Sequence, residues 1–97
     1  MELYPQNVTA LDGKDVTIIC RAVGAPTPNI TWIYNDSDFI EPTNRLQILE
    51  TGDLLISNVR ETDAGLYKCL RSNEAGSVNG EAYLGVMGMQ ILIYILV

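Results

Sequence analysis

Few side chains in this 97-residue chain could carry out catalysis. The chain has no histidine and only two cysteines, Cys20 and Cys69. No serine lies beside a recognisable base, so the nucleophile and base of acyl-transfer enzymes are missing. Two cysteines without histidine are too few for a zinc site, and no glycine-rich loop opens a helix that could hold phosphate. We therefore predict that the chain is not an enzyme and has no cofactor, metal or small-molecule substrate.

The two cysteines permit one disulfide bond. A bond that closes a loop of about fifty residues contributes roughly 4 kcal/mol in the chain-entropy model, which matters in a chain with a modest core. Such a bond persists only in an oxidising compartment, outside the cytosol. The alternative is a reduced, buried cysteine pair in a cytosolic module.

The charge of the chain limits its partners. Its net charge is −6, with six basic residues scattered along the sequence. Nucleic acid and anionic lipid both require clustered lysine and arginine, so neither is an expected partner. Acidic residues gather between Asn35 and Asn44, but they lack the ordered spacing of a calcium loop. We predict a solvated loop there.

A corner between a turn and a strand organises the elements around these residues. The run from Asp63 to Cys69 reads D-A-G-L-Y-K-C. Asp63 and Gly65 favour a turn, whereas Tyr67 and Cys69 point to the same side of a strand. The tyrosine can then donate its hydroxyl to the backbone of the preceding turn while its ring fills the core.

Alternating apolar residues predict further strands on both sides of this corner. The predicted strands cover about 5–11, 16–23, 30–34, 45–49, 54–59, 66–73 and 77–86. In the strand after the corner, Arg71 falls on the inward side, and we expect its guanidinium to extend out past the core edge. No helical periodicity occurs before Met87, so the chain is predicted to be an all-β, two-sheet β-sandwich.

The combined pattern of Cys20, Trp32, the run L-L-I at 54–56 and the D-A-G-L-Y-K-C corner resembles an immunoglobulin domain of the I-set type. The resemblance implies a Greek-key sandwich over residues 1–86. It also implies a disulfide between Cys20 and Cys69, Trp32 packed against that disulfide, a tyrosine corner at Tyr67, and an ion pair between Arg45 and Asp63.

Several stretches of the sequence are more specifically similar to modules of the sidekick family. These stretches are V-T-A-L-D-G-K-D-V-T-I-I-C, G-A-P-T-P-N-I-T-W-I-Y-N and N-E-A-G-S-V-N-G-E-A-Y-L. Sidekick proteins are neuronal cell-adhesion receptors built from several immunoglobulin domains followed by many fibronectin type III domains. The resemblance implies an extracellular module of a larger single-pass receptor at the plasma membrane. Such a module would bind the same receptor on an apposed cell, as at a synapse, or space neighbouring domains of its own chain.

Two other functions remain open for such a domain. One is a structural module of an intracellular sarcomeric or scaffold protein, which free thiols would support. The other is a ligand-binding module in the ectodomain of a growth-factor receptor. Only the similarity to sidekick sequences favours an adhesion receptor over such a receptor.

Three sequons make N-glycans expected partners of an extracellular domain. They begin at Asn7, Asn29 and Asn35. We expect Asn35, on a polar loop, to be the best acceptor, and Asn29, at the start of a strand, to be occupied less fully.

A protein-binding face follows from strand alternation. On the sheet that contains Trp32 and Cys69, the alternation turns Ile33, Leu70 and Tyr83 outward. We predict that they lie side by side across three strands and form the apolar centre of an interface with charged neighbours.

Neither end of the chain fits a targeting segment. Met1-Glu2-Leu3 lacks the basic start and apolar core of a secretory signal, so an extracellular assignment requires the chain to be a piece of a larger protein. The apolar extension 87–97 is too short to cross a bilayer. It could be an extension of the last strand, which we favour, a swapped strand in a dimer, the start of a membrane segment, or a non-native sequence.

Overall fold

The structure is a computed structural model that describes residues 5–21, 29–73 and 76–88. Within these ranges, the chain forms strands and one short 3-10 turn, Glu61–Asp63. The strands are β1 Val8–Leu11, β2 Val16–Ile18, β3 Asn29–Tyr34, β4 Asp38–Phe39, β5 Leu46–Ile48, β6 Leu54–Ile56, β7 Gly65–Asn73 and β8 Gly76–Met87.

The strands form two sheets, which confirms the predicted all-β sandwich. The larger sheet has the order β1-β8-β7-β3-β4, and the smaller has the order β2-β6-β5. β1 pairs in parallel with β8, while β7 pairs antiparallel with both β3 and β8. The central strands β3, β7 and β8 therefore form a continuous antiparallel part of the larger sheet.

The strand β2 is shorter than the predicted strand 16–23. Its ladder with β6 ends at Ile18, and the amide of Cys20 donates instead to the Asp53 side chain at 2.9 Å. A side chain that accepts a hydrogen bond from a backbone amide competes with the strand-pairing hydrogen bonds for that amide. Residues 22 and 23 of the predicted strand lie outside the described residues.

The predicted loop 35–44 contains the two-residue strand β4. Asn35 and Asp36 have φ angles of 51° and 56°, and the Ser37 amide donates to the Tyr34 carbonyl at 3.1 Å. Two left-handed residues inside such a bond are typical of the tight turn that joins antiparallel strands. The chain therefore folds back on β3 before it crosses to the other sheet.

The core lies between the two sheets and contains Cys20, Trp32, Tyr67 and Cys69, as predicted. Cys20 and Cys69 form the disulfide bond with Cα atoms 6.5 Å apart, and Trp32 is fully buried. The other buried core residues are Ala10, Val16, Ile18, Leu54, Ile56, Val59, Ala82 and Leu84.

The structure contradicts the expectation for Arg71. Its side chain does not extend past the core edge, because the residue is 3% exposed. β7 continues to Asn73 and is paired on both sides at Arg71, so the position lies within the sheet and not at its end.

The described part of the chain ends just after β8. Met87 is the last residue of β8, and residues 89–97, the main part of the predicted apolar extension, lie outside the described residues. Within the described ranges, no helix is long and apolar enough to cross a membrane.

Candidate protein-interaction face and its supporting corner

The turn before β7 brings together the predicted residues Tyr67, Arg45 and Asp63. The Tyr67 hydroxyl donates to the Asp63 carbonyl at 2.6 Å. Two guanidinium nitrogens of Arg45 donate to the two carboxylate oxygens of Asp63, each at 3.0 Å. This paired geometry is the strong form of an arginine–carboxylate contact, so the corner is fixed through both backbone and side chain.

Asp63 also caps the 3-10 turn. Its carboxylate accepts the Arg60 amide at 2.8 Å. Burial disfavours the charged form, but the hydrogen bonds from Arg45 and Arg60 outweigh that effect and hold the pKa of Asp63 below its usual value. The carboxylate is therefore charged at neutral pH and remains a partner for Arg45.

A second tyrosine, which the sequence analysis did not place at the corner, supports the same turn. The Tyr34 hydroxyl donates to the carbonyls of Thr62 and Ala64, and its ring centre lies 5.0 Å from that of Tyr67. Tyr34 could have been found from its inward register on β3, because that strand runs beside β7.

The disulfide is supported by a turn that the sequence analysis treated only as a connection. The Trp32 indole donates to the Gly52 carbonyl at 2.8 Å. Gly52 has a φ of +97°, and a Cβ there would lie 2.7 Å from the Cys20 carbonyl oxygen. The next residue, Asp53, is 1% exposed and accepts from Cys20 and from Arg21. No local sequence signal marks Asp53 as buried.

The outer face is the solvent side of β3, β4, β7 and β8, and its side chains form four rows across the strands. We number the rows in the direction of β7. From the pairing register, row one contains Leu66 and Tyr83; row two contains Phe39, Ile33, Lys68 and Glu81; row three contains Thr31, Leu70 and Asn79; and row four contains Asn29, Ser72 and Ser77.

This register contradicts the predicted side-by-side arrangement of Ile33, Leu70 and Tyr83. The three residues lie on the outer face but in three successive rows. The middle of the face is instead Lys68, whose amine lies 2.7 Å from Asp36 and 3.5 Å from Glu81. The middle of the outer face therefore carries charge, with apolar residues beside it.

Lys68 is charged at neutral pH in this position. Its hydrogen bond to Asp36, together with the nearby Glu81, raises the pKa of Lys68 above its usual value. One cation between two carboxylates gives the centre both signs of charge, and both carboxylates are about half exposed. They remain accessible to a partner.

The apolar part of the face includes one residue that the sequence analysis missed. Phe39 is 66% exposed and pairs directly with Ile33. Tyr83 is 61% exposed, while Ile33 and Leu70 are half-buried. Phe39 could have been noticed as an apolar residue within the polar run 35–44. If that run forms a strand, each of its side chains points to one defined face of the sheet.

The three sequon asparagines are exposed and lie around this same face. Asn29 lies in row four, while Asn35 and Asn7 flank row one. The Asn35 side-chain oxygen accepts the Leu66 amide, and the Asn7 oxygen accepts the Tyr83 amide, both at 2.8 Å. No group of three or more histidine, cysteine or acidic residues in the described ranges could hold a metal ion.

A comparison with known families agrees with this architecture. The family model described as the immunoglobulin I-set domain matches residues 1–86. The chain belongs to the immunoglobulin I-set family. The paired corner and the buried disulfide beside Trp32 are thus features of an I-set domain, a fold that is typically non-catalytic.

The relatives of this I-set domain are much longer proteins. It is 71% identical over 87 residues to "Protein sidekick" of Drosophila melanogaster, covering 90% of this chain and 4% of that protein. It is 41% identical over 75 residues to "Peroxidasin homolog" of Homo sapiens, covering 76% of this chain and 5% of that protein. The chain therefore spans only a small part of the relatives it matches, and the peroxidasin match covers only the immunoglobulin region.

Solved I-set structures share the fold. An immunoglobulin domain of the complex of titin M10 with obscurin-like 1 has a TM-score of 0.81 and 26% sequence identity, covering 91% of this chain and 93% of that one. That structure is of a complex between two other proteins, titin M10 and the obscurin-like 1 immunoglobulin domain.

Proposed function

We propose that this chain is an extracellular module of a cell-adhesion receptor that makes protein–protein contacts between cells. The observation that carries the proposal is the 71% identity to sidekick over 90% of the chain, because the sequence resemblance implies an adhesion receptor. The module lacks a catalytic role of its own in this proposal, and its work is recognition or spacing.

The disulfide and the sequons support a position on the outside of the plasma membrane, within a larger single-pass receptor. Cys20 and Cys69 are bonded, and disulfides persist in oxidising compartments. The sequon asparagines at 7, 29 and 35 are all exposed, as N-glycan acceptors must be.

The occupant of the outer face in this proposal is a second copy of the chain on an apposed cell. The face offers Phe39, Ile33, Leu70 and Tyr83 as apolar surface and carries Lys68 together with carboxylates. A face with both charge signs can pair Lys68 of one copy with Glu81 of another, which is the electrostatic complementarity that interfaces use for specificity. This contact must overcome the repulsion between two chains of net charge −6.

The alternative is a structural module of an intracellular scaffold, and the likeness to titin M10 favours it at the level of fold. A reduced domain would carry two free thiols and no glycan. Alkylation of the protein unfolded in urea without reductant separates the alternatives, because bonded cysteines do not react whereas free, exposed thiols do.

Substitution of Leu70 by glutamate tests the proposed contact. Leu70 is half-buried in row three on the central strand β7, and a charge there must be desolvated when a partner binds. We expect Leu70→Glu to weaken binding between immobilised and soluble copies by about tenfold or more, equivalent to roughly 1.4 kcal/mol.

Gln47→Glu is the matched control for this experiment. Gln47 is exposed on β5 in the other sheet. The Gln47→Glu variant therefore adds the same charge away from the outer face and should leave binding unchanged. Both variants should keep the unfolding midpoint of the parent. If Leu70→Glu binds as well as Gln47→Glu, the outer face is not the contact.

A further inference from the structure

We propose that Asn35 is an N-glycan attachment site that controls the outer face. A glycan at Asn35 covers the row formed by Leu66 and Tyr83 and thereby weakens the contact between copies. This inference rests on the proposed function, because it assigns a regulatory role to a modification at the same face.

Two hydrogen bonds hold Asn35 beside Leu66 in the first row. Its amide donates to the Leu66 carbonyl at 2.8 Å, and its side-chain oxygen accepts the Leu66 amide at 2.8 Å. The residue is exposed, and its φ of 51° is a left-handed conformation that asparagine tolerates. The bond to Leu66 uses the amide oxygen, so a sugar on the amide nitrogen does not have to replace it.

Tyr83 lies within reach of an oligosaccharide attached to Asn35. Leu66 pairs with Tyr83, and Asn35 lies beside Leu66 on the other side, so the two are separated by about two strand spacings, roughly 10 Å. Tyr83 is 61% exposed, and a branched glycan is bulky enough to extend over it. The amide of Tyr83 also binds Asn7, a second sequon asparagine, so row one lies between two acceptors.

The modification itself is a glycosyl transfer from a lipid-linked oligosaccharide diphosphate. The amide nitrogen of Asn35 forms a bond to C1 of the first sugar, and the bond from C1 to the diphosphate oxygen breaks. The nitrogen gives up one proton, and the lipid diphosphate leaves with the bonding electron pair. Ser37 completes the acceptor motif.

The covered row is part of the proposed interface, whereas Leu70 lies two rows away. A hydrated glycan over Tyr83 excludes a partner from that end and requires it to lose contact area or to displace the sugar. Occupancy of a single asparagine can thus set the strength of a contact without any change in the fold.

Two variants at Ser37 test this inference without altering Asn35. Ser37→Ala destroys the acceptor motif, and Ser37→Thr preserves it. Both are better than a change of Asn35 itself, which would remove the bond to Leu66. Ser37 is exposed and its hydroxyl bonds only to the Tyr34 carbonyl among the hydrogen bonds described, so both variants should fold as the parent does.

The proteins are secreted from eukaryotic cells, and occupancy of Asn35 is read by glycopeptide mass. Coverage of row one is then measured as the rate of Tyr83 nitration. We expect Ser37→Ala to lack the Asn35 glycan, to be nitrated at Tyr83 faster by about twofold or more, and to bind a second copy more tightly by about threefold or more. Ser37→Thr should match the parent in all three readouts.

The outcomes separate this inference from the proposed function. An unmodified Asn35 in the parent, or equal nitration of the two variants, would overturn the inference whatever the binding data show. Binding that is lost in Leu70→Glu but equal in the two Ser37 variants would overturn the inference and leave the proposed function standing. No binding between copies in any form would overturn the proposed function, and with it the regulatory role of the glycan.

Discussion

At the scale of single residues, Asp53 shows how one buried side chain holds several parts of the molecule. It accepts the amide of Cys20 and two guanidinium hydrogen bonds from Arg21. The aspartate is almost fully buried, whereas the Arg21 side chain is 47% exposed. The bond to the Cys20 amide should therefore matter more than the ion pair, because solvent screens the exposed partner.

Asp53→Ala should lower the free energy of unfolding by about 1–3 kcal/mol, since it leaves the buried Cys20 amide without an acceptor. Asp53→Asn keeps a side-chain oxygen and should cost less. Urea denaturation of both variants at neutral pH measures the difference. Equal losses in the two variants would show that the ion pair, and not the Cys20 amide, is the important contact.

At the scale of elements, the corner joins the 3-10 turn Glu61–Asp63 to the central strand β7. Tyr34 and Tyr67 both donate to carbonyls of this turn, and Arg45 binds it from the other sheet. β7 carries Lys68 and Leu70, so a displaced corner would move the middle of the outer face. The corner is thus the structural support for the proposed contact.

Tyr67→Phe should destabilise the domain by about 0.5–1.5 kcal/mol, because the ring stays in place but the hydrogen bond to the Asp63 carbonyl is lost. Tyr83→Phe is the control. Tyr83 is 61% exposed, and the loss of its hydroxyl should change stability by less than about 0.5 kcal/mol. The unfolding midpoints in urea give both values, and a Tyr67→Phe midpoint equal to that of Tyr83→Phe would contradict the role of the corner.

At the scale of the whole molecule, two buried carboxylates connect folding to pH. Burial opposes ionisation of Asp53, but its hydrogen bonds from Arg21 and Cys20 outweigh that effect and lower its pKa. The pKa of Asp63 is also lowered. Because both values lie below those of the unfolded chain, the unfolded chain binds more protons in acid, and stability must rise with pH.

We therefore expect the unfolding free energy contributed by Asp53 and Asp63 to be fully present above the unfolded aspartate pKa of about 3.9. It should be lost as the pH falls from there through the lower pKa values of the folded protein. Thermal unfolding between pH 7 and pH 2.5 measures this, with Asp53→Asn as the comparison. The variant should show a smaller loss in acid, and an equal loss would mean that Asp53 does not contribute to the pH dependence.

The sequence by itself determined the fold class, the core positions of the two cysteines and the position of the corner. These features depend on local spacing: alternation assigns Cys20, Trp32 and Cys69 to the core, and Asp63 to Tyr67 form a turn and the start of a strand that are close along the chain. The same local rules predicted that Ile33, Leu70 and Tyr83 face outward.

The tertiary structure alone decided which outward residues are neighbours and which polar residues are buried. Row membership depends on the register between strands that are distant in sequence, and a shift of two residues preserves the face but changes every cross-strand partner. This is why Ile33 pairs with Lys68 while Tyr83 pairs with Leu66, so that Ile33, Leu70 and Tyr83 do not share a row. Asp53 and Arg71 are also buried in the folded chain, which their local sequence does not indicate.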